Sequence, residues 1–323
     1  LSEYAPGSQV IADGYLWTSR YIKKIPGKEF PQYSYVVCRD CGFFSSCLKE
    51  RSEEELPKLC PICGNRFSKT GTYVTPEFGM IADSPRKATP RKPSKTFSTR
   101  YFFSSRNQNY NNVNKQEQTE RLKNVTLILR SFEGRLAVIN SAGWNGFSIC
   151  RNCGYALVGS SSSQKTHKDP FGKSCGGSFE ERLSLGYEFP TDILEITFPN
   201  SGIIRDTSLL YSLLFGIIEG ISSSLEIDRN DINGVLRYKS NSSPALVIFD
   251  DVPGGAGHVN RIISENKLME VLWETLRIVE NCKCGEEDNG RASCYGCLRD
   301  YSNQLFHSYL DRSRVIEFLR PIL

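Results

Sequence analysis

The feature that most constrains this chain is the spacing of its cysteines. Twelve cysteines occur among 323 residues, and eleven of them fall into three compact groups. Cysteines paired at C-x-x-C spacing let two thiolates reach one tetrahedral ion. In a chain without an export signal, such pairs are more often metal ligands than disulfides. We therefore predict about three structural zinc ions, each closing a small unit that lacks a sufficient apolar core.

The first cysteine group has the spacing of a zinc ribbon. Each of its two C-x-x-C pairs is followed directly by a glycine, which suits a tight turn that aims backbone N–H groups at sulfur. Free core cysteines are the alternative. Cys47 is left over as a buried thiol, although its competition with Cys41 for the metal stays open. The predicted ligands are Cys38, Cys41, Cys60 and Cys63.

The second group predicts a site with three cysteines and one histidine, a common structural zinc set. A C-x-x-C-Gly sequence at residues 150–154 is followed by one histidine and one further cysteine. The histidine lies in a Ser- and Lys-rich loop, so a water or another residue is the alternative fourth ligand. The predicted ligands are Cys150, Cys153, His167 and Cys175.

The third group holds four cysteines within sixteen residues, as C-x-C and C-x-x-C separated by a polar loop that contains glycine. A thioredoxin-type redox pair needs a single C-x-x-C that opens a helix after a strand, so a closed four-cysteine site is favoured. A catalytic zinc keeps one position open, and no such position is expected here. We expect this chain itself to be non-catalytic. The predicted ligands are Cys282, Cys284, Cys294 and Cys297.

Composition limits the class of protein. Charged residues make up 24% and hydrophobic residues 39%, as in ordinary soluble globular proteins. No apolar run reaches the ~20 residues that a spanning helix needs, and no basic-then-apolar signal opens the chain. We expect a cytoplasmic protein without a membrane partner. Because the first residue is Leu and not Met, we also expect a fragment of a longer polypeptide.

Residues 84–123 concentrate positive charge. They hold ten Lys and Arg against two Glu, a net charge of +8, whereas the whole chain carries only +4. Aromatic residues interleave with the charges, and such a mixture suits phosphates and unpaired bases. Nucleic acid, and DNA in particular, is the expected partner. A solvated linker with an edge strand at "TRYFFSS" is the alternative. The predicted contacts are Arg91, Lys92, Lys95, Arg100, Tyr101, Phe103 and Arg106.

The pattern divides the chain into four units of a multi-domain α+β and α/β protein. We predict strands plus a zinc ribbon in residues 1–80 and a basic linker with edge strands in residues 81–135. A second small zinc-binding β module is predicted in residues 136–182, and a β-α-β-α domain capped by the third zinc loop in residues 183–323.

Several elements are predicted individually. "VTLILR" and "LAVINS" are expected to form two strands, and "ALVIFDD" a strand buried on both faces. The segment after residue 206 has helical spacing, with Asp206 or Thr207 as its N-cap. "NKLMEVLWETLRIVENC" is expected to form an amphipathic helix that ends at Cys282.

The stretch "LVIFDDVPGGAGH" resembles the Walker B strand of ATPases. The chain has no phosphate loop of the G-x-x-x-x-G-K-[ST] type, so ATP binding is not expected here. The glycine-rich turn is predicted to be either a backbone anion nest or a tight turn. A hydrolytic pair of Asp251 and His258 is the third alternative.

The same stretch, followed by "CKC" and "SCYGCLRDYSNQLFHSYLDR", resembles the MrfA-type zinc-binding domain. That domain lies near the C-terminus of DEAD/DEAH-box superfamily-two helicases and in the DrmB protein of DISARM phage-defence systems. The resemblance covers about residues 183–323 and implies that the third cysteine group binds zinc. Upstream, "LSEYAPGSQVIADGYLWTSRYI" resembles the stretch after the helicase core in large bacterial helicases, including those of Druantia-type defence loci.

The resemblance implies a non-motor region that binds or guides DNA beside helicase motor domains, present in cis or in trans, with a role in phage defence. No motor motif occurs in these residues, so ATP-dependent helicase activity is expected of the parent polypeptide only. The alternative is a DrmB-like interaction scaffold that docks on a separate helicase.

Overall fold

The computed structural model describes residues 1, 4–25, 27–67, 69–94, 99–104, 116–161, 166–199, 206–238, 244–284 and 292–323. The helices are α1 (Ser52–Glu55), α2 (Thr207–Leu225), α3 (Arg261–Ser264), α4 (Leu268–Asn281) and α5 (Arg312–Leu319). The strands are β1 (Gln9–Ala12), β2 (Tyr15–Ile22), β3 (Gln32–Val37), β4 (Phe44–Leu48), β5 (Lys69–Val74), β6 (Met80–Ala82), β7 (Arg86–Lys87), β8 (Thr99–Phe103), β9 (Gln116–Leu122), β10 (Val125–Asn140), β11 (Phe147–Cys150), β12 (Ala156–Val158), β13 (His167–Lys168), β14 (Ser174–Cys175), β15 (Phe179–Thr197), β16 (Ile232–Arg237) and β17 (Ala245–Asp250).

One long antiparallel pair, β10 with β15, is the spine of the main sheet. The pairing runs from Ile128 opposite Thr197 to Asn140 opposite Leu185. One end of this spine carries β9 on one side and β17 with β16 on the other. The other end carries β8, β11 and, through a parallel pairing to β15, β5 with β3 and β4. The spine therefore joins the zinc-ribbon strands to the helical end of the molecule.

The two strands predicted at "VTLILR" and "LAVINS" are one strand, β10. Gly134 lies in its middle and suggests a turn in the sequence. In the fold, a Cβ at this position would overlap the side chain of Ile193 on β15. The glycine is thus required by packing across the pair and does not end the strand. The predicted domain limits at residues 135 and 182 fall inside β10 and β15, and the division into four units stays a prediction.

A layer of helices covers one face of the β15–β17 part of the sheet. The N-cap prediction at Asp206 is confirmed, since its carboxylate accepts a hydrogen bond from the backbone N–H of Leu209 at 3.1 Å. α2 is long and apolar enough to cross a membrane, but 67% of its most apolar window is buried in the fold, as in a core helix. The predicted strand at "ALVIFD" is also confirmed, and all six of its residues are buried.

The order of elements after residue 183 differs from the predicted β-α-β-α by one strand, β16. Its sequence, "INGVLR", is short and interrupted by Gly234, which weakens any strand pattern. A Cβ on Gly234 would approach Leu214 of α2 to 2.7 Å, so the glycine lets the helix lie against this strand. The pairs β15–β17 and β16–β17 are antiparallel.

Candidate metal centres and nucleic-acid interface

The fold brings together the three groups of four side chains that the spacing predicted. Within each group the ligand atoms lie within 4.8 Å of one another. Tetrahedral zinc with Zn–S bonds of ~2.3 Å holds sulfurs about 3.8 Å apart, whereas a disulfide needs ~2.05 Å. The Sγ–Sγ distances of 3.3 Å for Cys41–Cys60 and 3.8 Å for Cys284–Cys297 agree with the metal arrangement. The three tetrads fit three structural zinc ions.

The first tetrad joins the tip of the β3–β4 hairpin to a second knuckle at residues 60–64. In each knuckle the glycine after the second cysteine has a positive φ, 68° at Gly42 and 76° at Gly64, and its N–H donates to the carbonyl of the first cysteine. Burial raises the pKa of Cys60, but N–H groups of Cys63 and Ile62 oppose it and leave that pKa below its usual value. Cys47 is buried in β4, outside this tetrad.

The second tetrad includes His167, whose Nε2 lies 3.1 Å from the Sγ of Cys153. The histidine is placed by the short β13–β14 pair, in which it lies opposite Cys175. Its ring is buried against Tyr155 and Phe179, at centroid distances of 4.8 and 5.0 Å. Burial lowers the pKa of His167, which favours the neutral imidazole that binds metals. Burial also raises the pKa of Cys153 to about 12, so a cation is needed to keep this thiolate charged.

The knuckle of the second tetrad is pressed against the end of β2. The N–H of Ile22 donates to the carbonyl of Gly154 at 2.8 Å, and a Cβ on Gly154 would overlap the carbonyl oxygen of Ile22. The ring of Tyr21 meets the ring of Tyr155 edge-on at 5.5 Å, and its hydroxyl donates to the carbonyl of Lys168. This zinc module therefore fixes the direction of β2.

The third tetrad begins at the C-cap of α4, which is Cys282, and ends at Cys297, which is buried in the helical core. Arg312 at the start of α5 ties the site to both helices. Its Nε donates to the carbonyl of Cys284 and its Nη1 to that of Val279, each at 3.1 Å. Burial raises the pKa of Cys284 to about 11. The arrangement can hold elements together, but it offers no open position for substrate.

The glycine-rich turn after β17 surrounds two carboxylates of the protein itself. Asp250, fully buried, accepts hydrogen bonds from the N–H groups of Ala256, His258 and Val259 at 2.7 to 3.1 Å. The N–H of Gly257 donates to Asp192. The turn is thus a backbone anion nest, and the anions that it binds are the protein's own carboxylates, those of Asp250 and Asp192. Among the described residues no hydrogen bond joins Asp251 to His258; instead Asp251 accepts from the hydroxyl of Tyr101 at 2.9 Å.

A groove of about 760 Å³ lies between the first zinc knuckle, β8, the start of α2 and the segment after Cys297. Arg39 and Arg100, both exposed as residues, lie along it together with the carboxylate of Asp40, and partial burial of the Arg100 guanidinium lowers its pKa. Its far wall is aromatic: the rings of Tyr211 and Phe306 stack at a centroid distance of 4.4 Å. Tyr309, 45% exposed, lies beside them. The sequence offered no signal for this wall, because its parts are far apart along the chain.

The residues predicted to contact nucleic acid are distributed over several places. Arg91 and Lys92 are exposed in the segment after β7, and Arg100 lies in the groove. The ring of Tyr101 already packs on Phe249 at 5.5 Å, and the guanidinium of Arg237 lies 4.2 Å from the centroid of Phe103. Lys95 and Arg106 lie outside the described residues. The assignment of these seven residues stays a prediction.

The region from α2 to the third tetrad matches a known family. Residues 213–298 match the MrfA Zn-binding domain, MZB. This match includes all four cysteines of the third tetrad, in agreement with the predicted resemblance to MrfA-type zinc-binding domains. The chain as a whole is similar to the Druantia protein DruE of Escherichia coli (strain UMEA 4076-1), at 24% identity over 372 aligned positions. The alignment covers 100% of this chain and 19% of DruE, so the chain spans about a fifth of that relative.

Two solved structures are also similar to parts of the chain. The crystal structure of the DUF1998 helicase MrfA bound to DNA has 14% identity and a TM-score of 0.36, over 74% of this chain and 27% of that one. The crystal structure of the same helicase bound to DNA and AMPPNP has 13% identity and a TM-score of 0.30, over 73% of this chain and 23% of that one.

Proposed function

We propose that this chain is a zinc-stabilised accessory region that binds DNA beside a DEAD/DEAH-box helicase motor. The groove beside the first zinc knuckle is the observation that carries the proposal. Its guanidinium groups, on Arg39 and Arg100, suit phosphates, and its aromatic wall suits unpaired bases. The match to the MrfA Zn-binding domain and the similarity to DruE support a helicase setting and a role in phage defence. The motor domains would act in cis or in trans, in the cytoplasm.

The zinc ions shape the groove and take no part in chemistry under this proposal. Arg39 stands between the two cysteines of the first knuckle, so the metal there fixes one side of the groove. The third tetrad holds the segment that supplies Phe306 and Tyr309 on the opposite side. Within that segment, the side-chain amide of Asn303 donates to the carbonyl of Leu298 at 2.9 Å. Metal binding at two sites thus preorganises one surface.

The test is a salt titration of DNA binding. A fluorescent single-stranded oligonucleotide is titrated with the wild-type chain and with the double variant Arg39→Gln, Arg100→Gln, between about 50 and 200 mM salt. Loss of two phosphate contacts is expected to weaken binding by about tenfold at low salt. It also makes the slope of log K against log salt about 1.4 units less steep, since each contact to a single strand contributes ~0.7.

A charge-matched control distinguishes binding in the groove from nonspecific electrostatic attraction between DNA and the protein surface. The double variant Arg277→Gln, Arg320→Gln removes the same charge from the outer surface of α4 and from the residue after α5. It is expected to retain wild-type affinity and slope. Equal affinity and slope for the groove variant and the wild type would refute the assignment of the groove.

A scaffold without DNA contact is the second candidate function. The observation that favours it is an exposed tryptophan on α4, Trp273, which is 51% exposed next to the partly exposed Met269. Large apolar side chains of this kind often mark protein contacts. A chain that binds no oligonucleotide at low salt, yet elutes together with a separately produced DEAD/DEAH-box motor, would favour the scaffold.

A further inference from the structure

A small sheet at the start of the chain presents aromatic side chains to solvent. β2 pairs with β1 on one edge and with β7 on the other. Paired residues of antiparallel strands point to the same side, and alternate residues of one strand share a face. Tyr15, Trp17 and Lys87 therefore lie on one face, because Lys87 pairs with Tyr15. This hairpin face leaves Tyr15 49% and Trp17 37% exposed.

Four basic residues lie in β7 or just after it. Lys87 lies on the hairpin face, whereas Arg86 pairs with Leu16 and therefore points to the opposite face. Arg86, Lys87, Arg91 and Lys92 are all exposed, and no ion pair among the described residues involves them. The segment that carries them is fixed at two points. The N–H of Ala88 donates to the carbonyl of Gly14, and the N–H of Gln9 donates to that of Ser94, each within 3.0 Å. The nearby carboxylates are Asp13 at the hairpin turn and Asp83, which pairs with Arg20 at 3.7 Å.

We infer that the hairpin face is a stacking platform for two unpaired bases of single-stranded DNA, with Lys87 beside the rings to contact a phosphate. Exposed rings next to a lysine without an ion pair among the described residues suit a ligand that has flat faces and a negative backbone. The inference deepens the proposed DNA binding and rests on it, but uses a surface other than the groove.

The spacing of the two rings selects single strands over duplex. Residues i and i+2 of a strand are about 7 Å apart. Successive bases in a duplex strand are stacked at ~3.4 Å, so bases seated on both rings must already be unstacked. A single strand can adopt that spacing without loss of base pairs, whereas a duplex cannot.

Contacts at the C-terminal end of β2 hold the strand, and with it the hairpin face, in a fixed orientation. Ile22 and Tyr21 are held by the knuckle of the second zinc tetrad, at the opposite end of the strand from Tyr15. A platform anchored at one end to a metal site needs little ordering when a ligand binds. This assigns the second tetrad a role in positioning the hairpin face.

The experiment compares ring and charge removal in the full chain. A labelled oligo(dT) of about 15 nucleotides and a duplex of equal length are each titrated with three proteins. These are the wild type, the leucine double variant Tyr15→Leu with Trp17→Leu, and the groove double variant Arg39→Gln with Arg100→Gln. The leucine variant is expected to bind the single strand about tenfold more weakly for each ring removed, while duplex binding is unchanged. Trp273→Leu, which removes a more exposed indole elsewhere, is expected to bind like the wild type.

Conservative replacement and fluorescence guard against a merely structural effect. Tyr15→Phe, Trp17→Phe keeps the rings and is expected to retain single-strand affinity. Oligo(dT) should quench tryptophan emission in the wild type, and the quench should vanish in Trp17→Phe. A leucine variant that retains three zinc ions and binds oligo(dT) as tightly as the wild type overturns the platform and leaves the proposed function intact. A wild-type chain that binds neither probe overturns both.

Discussion

The ribbon tetrad and the C-terminal tetrad contain the same four thiolates but are embedded in very different surroundings. Three of the four ribbon cysteines form an apolar cluster of their own, with only partly buried neighbours such as Phe43, Ile62 and Phe67. The C-terminal tetrad borders the largest apolar core of the described residues, in which Cys297 and Leu298 are buried beside α2, α4 and α5. Ligand chemistry alone therefore does not tell how much of a fold depends on its metal.

The difference lies in what remains if the metal is removed. Between the two ribbon knuckles, α1 has no buried residue, and Leu59 is 52% exposed. Apart from the metal, the second knuckle is tied by a bridge between Leu59 and Arg66, by the bond from Asn65 to Asp40 and by the contact of the rings of Phe43 and Phe67. The C-terminal tetrad has further ties, from Ser293 to the carbonyl of Leu310 and from Arg312 to two carbonyls. We expect local unfolding in the first case and local loosening in the second.

The largest effect is expected for Cys60→Ser in the ribbon. The zinc content should fall from three ions to two, because a buried thiolate ligand is lost. Structural zinc contributes about 10 kcal/mol or more in small zinc modules, and the apolar neighbours of the ribbon cysteines are only partly buried. Hydrogen exchange of those residues should become fast, and limited proteolysis should cut there. The metal count is checked by elemental analysis of the purified chain.

Cys47→Ser is the matched control for the ribbon variant. Cys47 is equally buried and lies on β4, the strand that follows the first knuckle, but it does not belong to a tetrad. Three zinc ions and slow exchange at residues 56–67 are expected. If the Cys60→Ser chain keeps three zinc ions, the ribbon does not depend on this ligand, and the expected difference between the two tetrads is wrong.

An intermediate effect is expected for Cys294→Ser. The zinc content should again fall to two, and the described residues between Ala292 and Leu310 should exchange faster. The amides of α4 should stay protected, since Leu272, Leu276 and Val279 are buried in the helical core. Loss of protection throughout α4 would show that this core depends on zinc as much as the ribbon does.

The zinc tetrads could be predicted because most of their ligands come as pairs two or three residues apart. His167 and Cys175 of the second tetrad do not form such a pair, and the sequence leaves an alternative fourth ligand open there. The N-cap at Asp206 and the buried strand β17 are likewise short-range patterns. The main errors come from glycines. Gly134 and Gly234 suggest breaks in the chain, but in the fold they let Ile193 and Leu214 approach the backbone closely. Close approach between distant segments leaves no mark in the sequence beyond the glycine itself.

The candidate nucleic-acid surfaces were only partly predictable for a similar reason. Net charge over residues 84–123 indicates a basic region, and Arg91 and Lys92 are exposed within it. The groove combines Arg39 with Tyr309, which lie at opposite ends of the sequence and are joined only by the fold. Alternation in β2 indicates which residues share a face, but it does not tell which face remains uncovered.

The smallest effect is expected for Arg312→Lys, which tests the ties of the C-terminal tetrad apart from its metal. A lysine keeps the charge but cannot donate from two fixed positions to the carbonyls of Cys284 and Val279. Because hydrogen bonds from charged donors contribute ~1.5–3 kcal/mol each and lysine retains part of this, the free energy of unfolding should fall by about 2 kcal/mol. Zinc content should remain at three ions. If the variant loses one ion, zinc binding at the C-terminal tetrad depends on the hydrogen bonds of Arg312. The expected contrast, in which the C-terminal tetrad is held by more protein contacts than the ribbon tetrad, would then be wrong.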